Sequence, residues 1–220
     1  STPLYSSAAS DVYKRQILAE YKTTRYMYND FCYVMYNLLE DILKKGKYKY
    51  HLSTRIKDPA SLSEKIERKK MRGTNYKHIG DIKDIAGIRI VFYTETDRKK
   101  FLRRMTKEFE DSMNIEDAKG AHGYTSTHVV ASLGEKRSEL SEYKRFKDLR
   151  CEIQLTLMLD HAWAEVEHDI LYKARPQISK MDPEHYENLK VRMEKVMSQY
   201  IKRASLEIES IVQEIKRFSK

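Results

Sequence analysis

The sequence predicts an α+β protein, a mixed β-sheet flanked by helices with a long helix at each end. Two segments, "DIAGIRIVFY" and "LRCEIQLTL", concentrate β-branched and alternating apolar residues. Stretches with apolar residues every three or four positions stand before, between and after them. The composition, 34% charged with 7 Gly and 4 Pro in 220 residues, suits an ordered, helix-rich globular chain. The order helix, strand, helix, strand, strand points to one domain of α+β or α/β type.

The chain opens on "STPLYSSAASD", polar, of low complexity and without an initiator Met. Residues 1–11 therefore read as a disordered fragment edge, 12–182 as the domain, and 183–220 as a C-terminal helix that packs on the domain or on a partner subunit. From Val12 to Lys45, Ile17, Tyr21, Met27, Phe31, Met35, Leu38, Leu39 and Ile42 recur at helical spacing, and Gly46 is a stop signal. The following "KYKYH" interleaves cations with aromatics. Such a mixture can stack bases and neutralise phosphates, or it can be ordinary core.

In "STRIKDPASLSEKIERKKMRG", Asp58 and Pro59 form an N-cap and first-turn signal, and Gly73 closes the helix. Ser61, Lys65, Arg68 and Arg72 share one helical stripe, while Leu62 and Ile66 face elsewhere for the core. Arg55 and Lys57 stand just before the helix start, where free backbone N–H groups favour anions. Polyphosphate binding fits that pattern, and so does a solvated basic face.

The run "DIKDIAGIRIVFY" is a strand with Asp84 at its entrance, and Gly87 inside it signals a bulge or a close backbone approach. A charged helix follows from Thr96 to about Met113. In "AHGYTSTHVVASL" the alternation of a strand puts Tyr124, Ser126 and His128 on one face. The stretch "GEKRSEL" reads as a loop. On the third strand Cys151, Ile153 and Leu155 alternate with Glu152, Gln154 and Thr156, so one face is buried and the other polar. Helical spacing returns in "MLDHAWAEVEHDILYK". The last helix starts at Asp182 and Pro183, with a stripe through Tyr186, Leu189, Met193, Met197, Tyr200, Ala204, Ile208, Ile211, Ile215 and Phe218, the spacing of a packing seam.

Forty-two Lys and Arg against 33 Asp and Glu give a net charge of +9, which favours anionic partners such as nucleotides or nucleic acid. Cys32 and Cys151 are too few for a disulfide framework, and a reducing cytoplasm is the expected compartment. No apolar run reaches the length of a membrane span, so no membrane partner is expected.

Two carboxylates, Asp84 and Glu152, meet if their strands are neighbours. Such a pair can hold Mg²⁺ between the oxygens of a nucleoside triphosphate, and one member can take a proton from an attacking hydroxyl. Isolated acids at strand ends also serve structural roles. A second constellation, His161, Glu165 and His168, lies on one helical face and looks like half of a carboxylate-bridged metal site. Such sites need two copies, and one is found, which favours a structural or nucleotide-facing role.

In this order and at fitting distances, "RIKDPASLSEKIERK", "DIAGIRIVFY", "HGYTSTH", "CEIQL" and "WAEVEHDILYK" resemble the synthetase domain of the RelA/SpoT family. The resemblance covers Arg55 to Lys173. It implies a nucleotidyltransferase-like fold and a transferase that moves pyrophosphate from ATP to a guanine nucleotide, making the alarmone (p)ppGpp. Residue by residue, it assigns the ATP phosphates to Arg55, Lys57, Lys65 and Arg68, with Ser61 on the same stripe. Mg²⁺ goes to Asp84 and Glu152, and Glu152 also activates the 3′-hydroxyl. Tyr124 looks like the tyrosine that stacks on the acceptor base, His128 follows it, and Gln154, Glu167 and His168 complete the acceptor pocket.

Two positions depart from the family pattern, which commonly has arginine where this chain has Thr125 and Thr156. Losing them removes positive charge that would meet the 5′-phosphates of GDP or GTP. The family also contains toxic members that pyrophosphorylate the 3′ end of tRNA, so tRNA and an antitoxin protein join GDP and GTP among the expected partners, with a homo-oligomer. A catalytically silent nucleotide or RNA sensor is the remaining alternative.

Overall fold

The computed structural model describes residues 4–119, 125–173, 177–178, 180 and 182–218, and of 4–11, 117–119, 125 and 172 the backbone only. Helix α1 spans Leu4–Lys45, so it starts inside the stretch that the sequence marks as an edge. Its buried residues Ile17, Tyr21, Tyr28, Phe31, Met35, Leu39, Ile42 and Leu43 follow the helical period. It stops at Gly46, where an added Cβ would come within 2.0 Å of the Tyr48 ring; only glycine lets that ring fold back over the helix end.

Five strands form one sheet in the order β1-β2-β5-β4-β3, namely Tyr50–Ile56, Ala86–Phe92, Cys151–Leu157, Thr125–Ala131 and Met113–Lys119. The β2–β5 pair is parallel, and β1–β2, β4–β5 and β3–β4 are antiparallel. The mixed sheet is as expected, but β1 and β3 are additions to the strands that the sequence predicts. Both are edge strands, and their apolar alternation is correspondingly weak.

Helix α2 (Pro59–Met71) is capped by Asp58, whose carboxylate accepts from the Ser61 amide at 2.9 Å. Helix α3 (Glu95–Phe109) ends short of the predicted Met113. One face of the sheet packs on α1 and α3: Ile88, Ile90, Phe92, Val129, Ile153 and Leu155 share a core with Phe31, Met35, Leu39, Phe101 and Met105. Tyr48 meets Phe92 and Phe101 edge-on, at centroid distances of 6.2 and 5.9 Å. The tyrosines of "KYKYH" therefore pack against the core rather than offering a base-stacking surface.

The expected loop "GEKRSEL" contains a short helix, α4 (Gly134–Ser138), and Arg137 pairs with Glu108 and lies 5.5 Å over the Phe109 ring. Helix α5 (Met158–Val166) continues as a π-helical stretch, Glu167–Tyr172. At the C-terminus α6 (Pro183–Lys195) is capped by Asp182, passes through a π-helical stretch and continues as α7 (Lys202–Phe218). Glu209 and Lys216 of α7 reach the start of α3, at the Thr96 amide and Asp97. The predicted seam is closed only in part: Tyr186 and Met197 are buried, whereas Tyr200, Ile208, Ile211, Ile215 and Phe218 are exposed. Among the described residues no helix is long and apolar enough to cross a membrane.

Candidate active site

Strand alternation turns one residue in two away from the α1 and α3 core, and on this second face the five strands put polar side chains side by side. Register aligns them in two rungs. Arg55, Gly87, Glu152 and Val130 form one; Ser53, Arg89, Gln154, His128 and Glu116 form the next. A cavity of about 450 Å³ opens over them, lined in part by Arg55, Asp84, Gly87, Arg89, Glu152, Gln154 and Glu165. Gly87 leaves its floor bare between Arg55 and Glu152: a Cβ there would touch only backbone, the Arg55 carbonyl oxygen at 3.4 Å.

Asp84 lies just before β2, and since β2 and β5 are adjacent, it faces the same cavity as Glu152. Lys65 Nζ stands 2.7 Å from Asp84 Oδ1, and Lys57 Nζ 3.0 Å from Oδ2. Each carboxylate oxygen thus faces one lysine ammonium, and Oδ1, though buried, keeps a second lone pair for a further ligand. Burial pushes the Asp84 carboxyl up, but Lys65 and Lys57 override it and hold the group below the usual carboxylate range. Lys57 is 7% exposed in its side chain and is fixed at both ends of its backbone, its N–H donating to the Ile85 carbonyl at 3.0 Å and its carbonyl accepting from the Tyr21 hydroxyl.

Glu152 is also held ionised against its burial. Burial raises it, while His128 Nδ1 at 3.3 Å from Oε1 and the Gln154 amide at 3.0 Å from Oε2 lower it further than burial and nearby Asp84 raise it. Two ionised carboxylates on one cavity, one with spare acceptor capacity, fit Mg²⁺. That ion takes one or two carboxylates and completes its shell with phosphate oxygens and water. Among the described residues no group of three or more His, Cys, Asp or Glu could hold a metal by itself. The helical His161, Glu165 and His168 separate accordingly. His161 and Glu165 turn to Arg89, at 3.4 and 2.6 Å, while His168 lies on the π-helical stretch beside Asp169 at 3.1 Å.

Of the residues that the sequence singles out, Arg55, Asp84, Glu152 and Gln154 line the cavity, Lys57 and Lys65 join it through Asp84, and His128 through Glu152. Ser61 sits in the first turn of α2, half-buried, and Arg68 is exposed further along the same helix. From the α5 region the cavity takes Glu165, whereas Glu167 and His168 belong to the π-helical continuation. Tyr124 lies outside the described residues. Sequence reasoning misses Arg89 as a site residue, although an arginine between Ile88 and Ile90 in an otherwise apolar strand is a signal in itself.

A second cavity, about 340 Å³, lies between α1 and β1 and is lined by residues such as Asn29, Cys32, Thr54 and Arg145. Among the described residues its lining carries the ion pair of Arg145 with Asp30 at 3.0 Å and no second carboxylate, whereas the first cavity has Asp84, Glu152 and Glu165. Cys32 and Cys151 are buried free thiols.

Residues 54–177 match the family model described as the region found in RelA/SpoT proteins. GTP pyrophosphokinase YwaC of Bacillus subtilis (strain 168) is 27% identical over 135 residues, which are 59% of this chain and 61% of that protein; the chain thus matches less than two thirds of its relative's length. Small alarmone synthetase 1 from Bacillus subtilis, bound to its product pppGpp, superposes with a TM-score of 0.67 at 21% identity over 90% of this chain and 99% of the other. The same enzyme bound to AMPCPP gives 0.63 at 19% identity, again over 90% and 99%. These superpositions show the nucleotidyltransferase-like fold, and because the family match spans more than half of the sequence and contains both carboxylates, the chain belongs to the RelA/SpoT family.

Proposed function

We propose that the protein is a pyrophosphotransferase that moves the β,γ-diphosphate of ATP to the 3′-hydroxyl of GDP or GTP, giving (p)ppGpp and AMP. The observation that carries this reading is the convergence of Asp84 and Glu152, both ionised and more than half buried, on one cavity with Arg55 and Arg89. The names and bound nucleotides of the relatives support it. In the reaction the 3′-oxygen attacks the β-phosphorus, the bond from that phosphorus to the α,β-bridging oxygen breaks, and AMP leaves. Glu152 accepts the hydroxyl proton, a task its ionised state permits.

Lys57 and Lys65 exchange Asp84 for the donor phosphates, with Arg55, Ser61 and Arg68 completing the grip. Asp84 and Glu152 would hold Mg²⁺, which when bound would supply neutralisation of the phosphate charge. On the acceptor side Tyr124 stacks on the base, a contact worth ~1–3 kcal/mol, and His128, Glu167 and His168 line the approach. The exposed apolar stripe of α7 supports a second copy of the chain as partner, which light scattering tests.

A second acceptor, the 3′ end of tRNA, is favoured by Thr125 and Thr156, which stand where the family commonly has arginines; a toxin of that kind would be paired with an antitoxin protein. Thr156 is neutral and 1% exposed, so it presents neither a charge nor an accessible hydroxyl in place of that arginine. The deciding experiment incubates the protein with γ-labelled ATP and GDP, GTP or bulk tRNA. Label in a guanosine product is expected. Label in tRNA alone overturns the guanine reading, and no AMP with any acceptor leaves a nucleotide or RNA sensor.

A further inference from the structure

A continuous hydrogen-bond line joins Arg89, Gln154 and His128 of the second rung to Glu152 of the first. Arg89 Nε donates to Gln154 Oε1 at 3.3 Å, Gln154 Nε2 donates to Glu152 Oε2 at 3.0 Å, and Glu152 Oε1 meets His128 Nδ1 at 3.3 Å. Its direction is forced by chemistry. A guanidinium only donates and an ionised carboxylate only accepts, so an amide between them has one satisfying orientation, oxygen to Arg89 and nitrogen to Glu152. Arg89 is held in turn by Glu165 at 2.6 Å and by His161 at 3.4 Å, which ties the line to α5. Both polar ends of the Gln154 side chain are engaged before any nucleotide arrives.

We infer that Gln154 is a positioning residue: it holds Glu152 in place from within its own strand, and Arg89 fixes the amide that does so. This rests on the proposed transfer reaction and departs from the acceptor-binding role that the resemblance implies for Gln154. A side chain that contacts the acceptor alters how well the acceptor binds. One that acts through Glu152 alters the chemical step with both nucleotides bound. Because Arg89 sits in the cavity wall beside Arg55, whatever engages its guanidinium also sets the orientation of Glu152, and the line links the two halves of the site.

The test compares Gln154→Met, which keeps the length of the side chain and removes both polar ends, with Arg89→Met and the double variant. Steady-state rates are measured with ATP and the acceptor that the wild type uses, and melting temperatures are recorded alongside. Gln154→Met is expected to lower kcat about ten- to a hundredfold, the scale of one hydrogen bond to a charged group. The KM for either nucleotide should stay within about twofold. Gln154→Glu, which keeps an acceptor for Arg89 but sets a second carboxylate beside Glu152, should do no better. In the double variant the kcat losses should fall short of their product, since both changes break one line. A raised acceptor KM with unchanged kcat assigns Gln154 to the acceptor and overturns the inference, as do multiplicative losses or a melting temperature that falls in step with kcat. A wild type that labels no acceptor overturns the transfer reading itself, and this inference with it.

Discussion

On β5, Cys151, Ile153 and Leu155 are buried in the core shared with α1 and α3, whereas Glu152 and Gln154, each one residue along, line the cavity. The same holds on β2, where Ile88 and Ile90 face the core and Gly87 and Arg89 the site. Two faces of one sheet thus divide the labour: the apolar face stabilises the strands by removing hydrocarbon from water, and the polar face uses that stability to keep charges close together. A one-residue slip would exchange the two sets, so register couples folding to the geometry of the site.

If the faces are separable, substitutions on them should divide cleanly between activity and stability. The largest effect is expected from Glu152→Gln, which should cut transfer by roughly a thousandfold or more, the scale of several kcal/mol of lost transition-state stabilisation, with about 1 kcal/mol or less of lost stability. Turnover close to that of the wild type in a folded variant would break the comparison at its centre. Next comes Ile153→Ala on the opposite face, expected to cost about 2–5 kcal/mol in a denaturant titration while each folded molecule keeps its kcat. A specific loss of turnover there would mean that the faces are not independent.

Gly87→Val sharpens the comparison from the site's floor. The new Cβ meets no side chain, so stability should hardly move, but the branched group rises into the cavity between Arg55 and Glu152. About a tenfold weaker affinity for a non-hydrolysable ATP analogue is expected by calorimetry. The smallest effect concerns the loop that feeds β2. The amides of His78 and Lys77 donate to Asp81 at 3.0 and 2.8 Å and hold its carboxyl below the usual range. A group depressed in the folded state stabilises above its unfolded pKa and loses that contribution as pH falls through the folded value. Asp81→Asn should therefore reduce stability at neutral pH and flatten the loss of stability below about pH 4. An unchanged acid limb would show that the loop adds nothing.

Legibility in the sequence followed burial. Strands β2 and β5 are central in the sheet and read directly, because one face of each is almost wholly apolar. Strands β1 and β3 are its edges, and "YHLSTRI" and "MNIEDAK" carry polar residues on both sides of the pleat, which erases the alternation that marks a strand. At the site, acids and lysines set among polar neighbours are easily noticed. Arg89 stands out against the apolar run around it, but nothing within that run says what it meets, and its partner Glu165 was visible only as part of a metal pattern that the π-helical stretch breaks up.

What the sequence determined by itself is local: the cap at Asp58 and Pro59, the face on which each residue of β5 lies, and the long helices at the two ends. Backbone sterics and the spacing of apolar residues act over a few positions, so a short window contains the whole cause. Only the tertiary structure decided that β2 lies parallel to β5, and with it that Asp84 meets Lys57, Lys65 and the cavity of Glu152, and that Arg89 meets Gln154. Strand order is chosen by burying the whole apolar face at once, against the conformational entropy of the chain between the strands, and that balance is a property of the assembled core rather than of any segment.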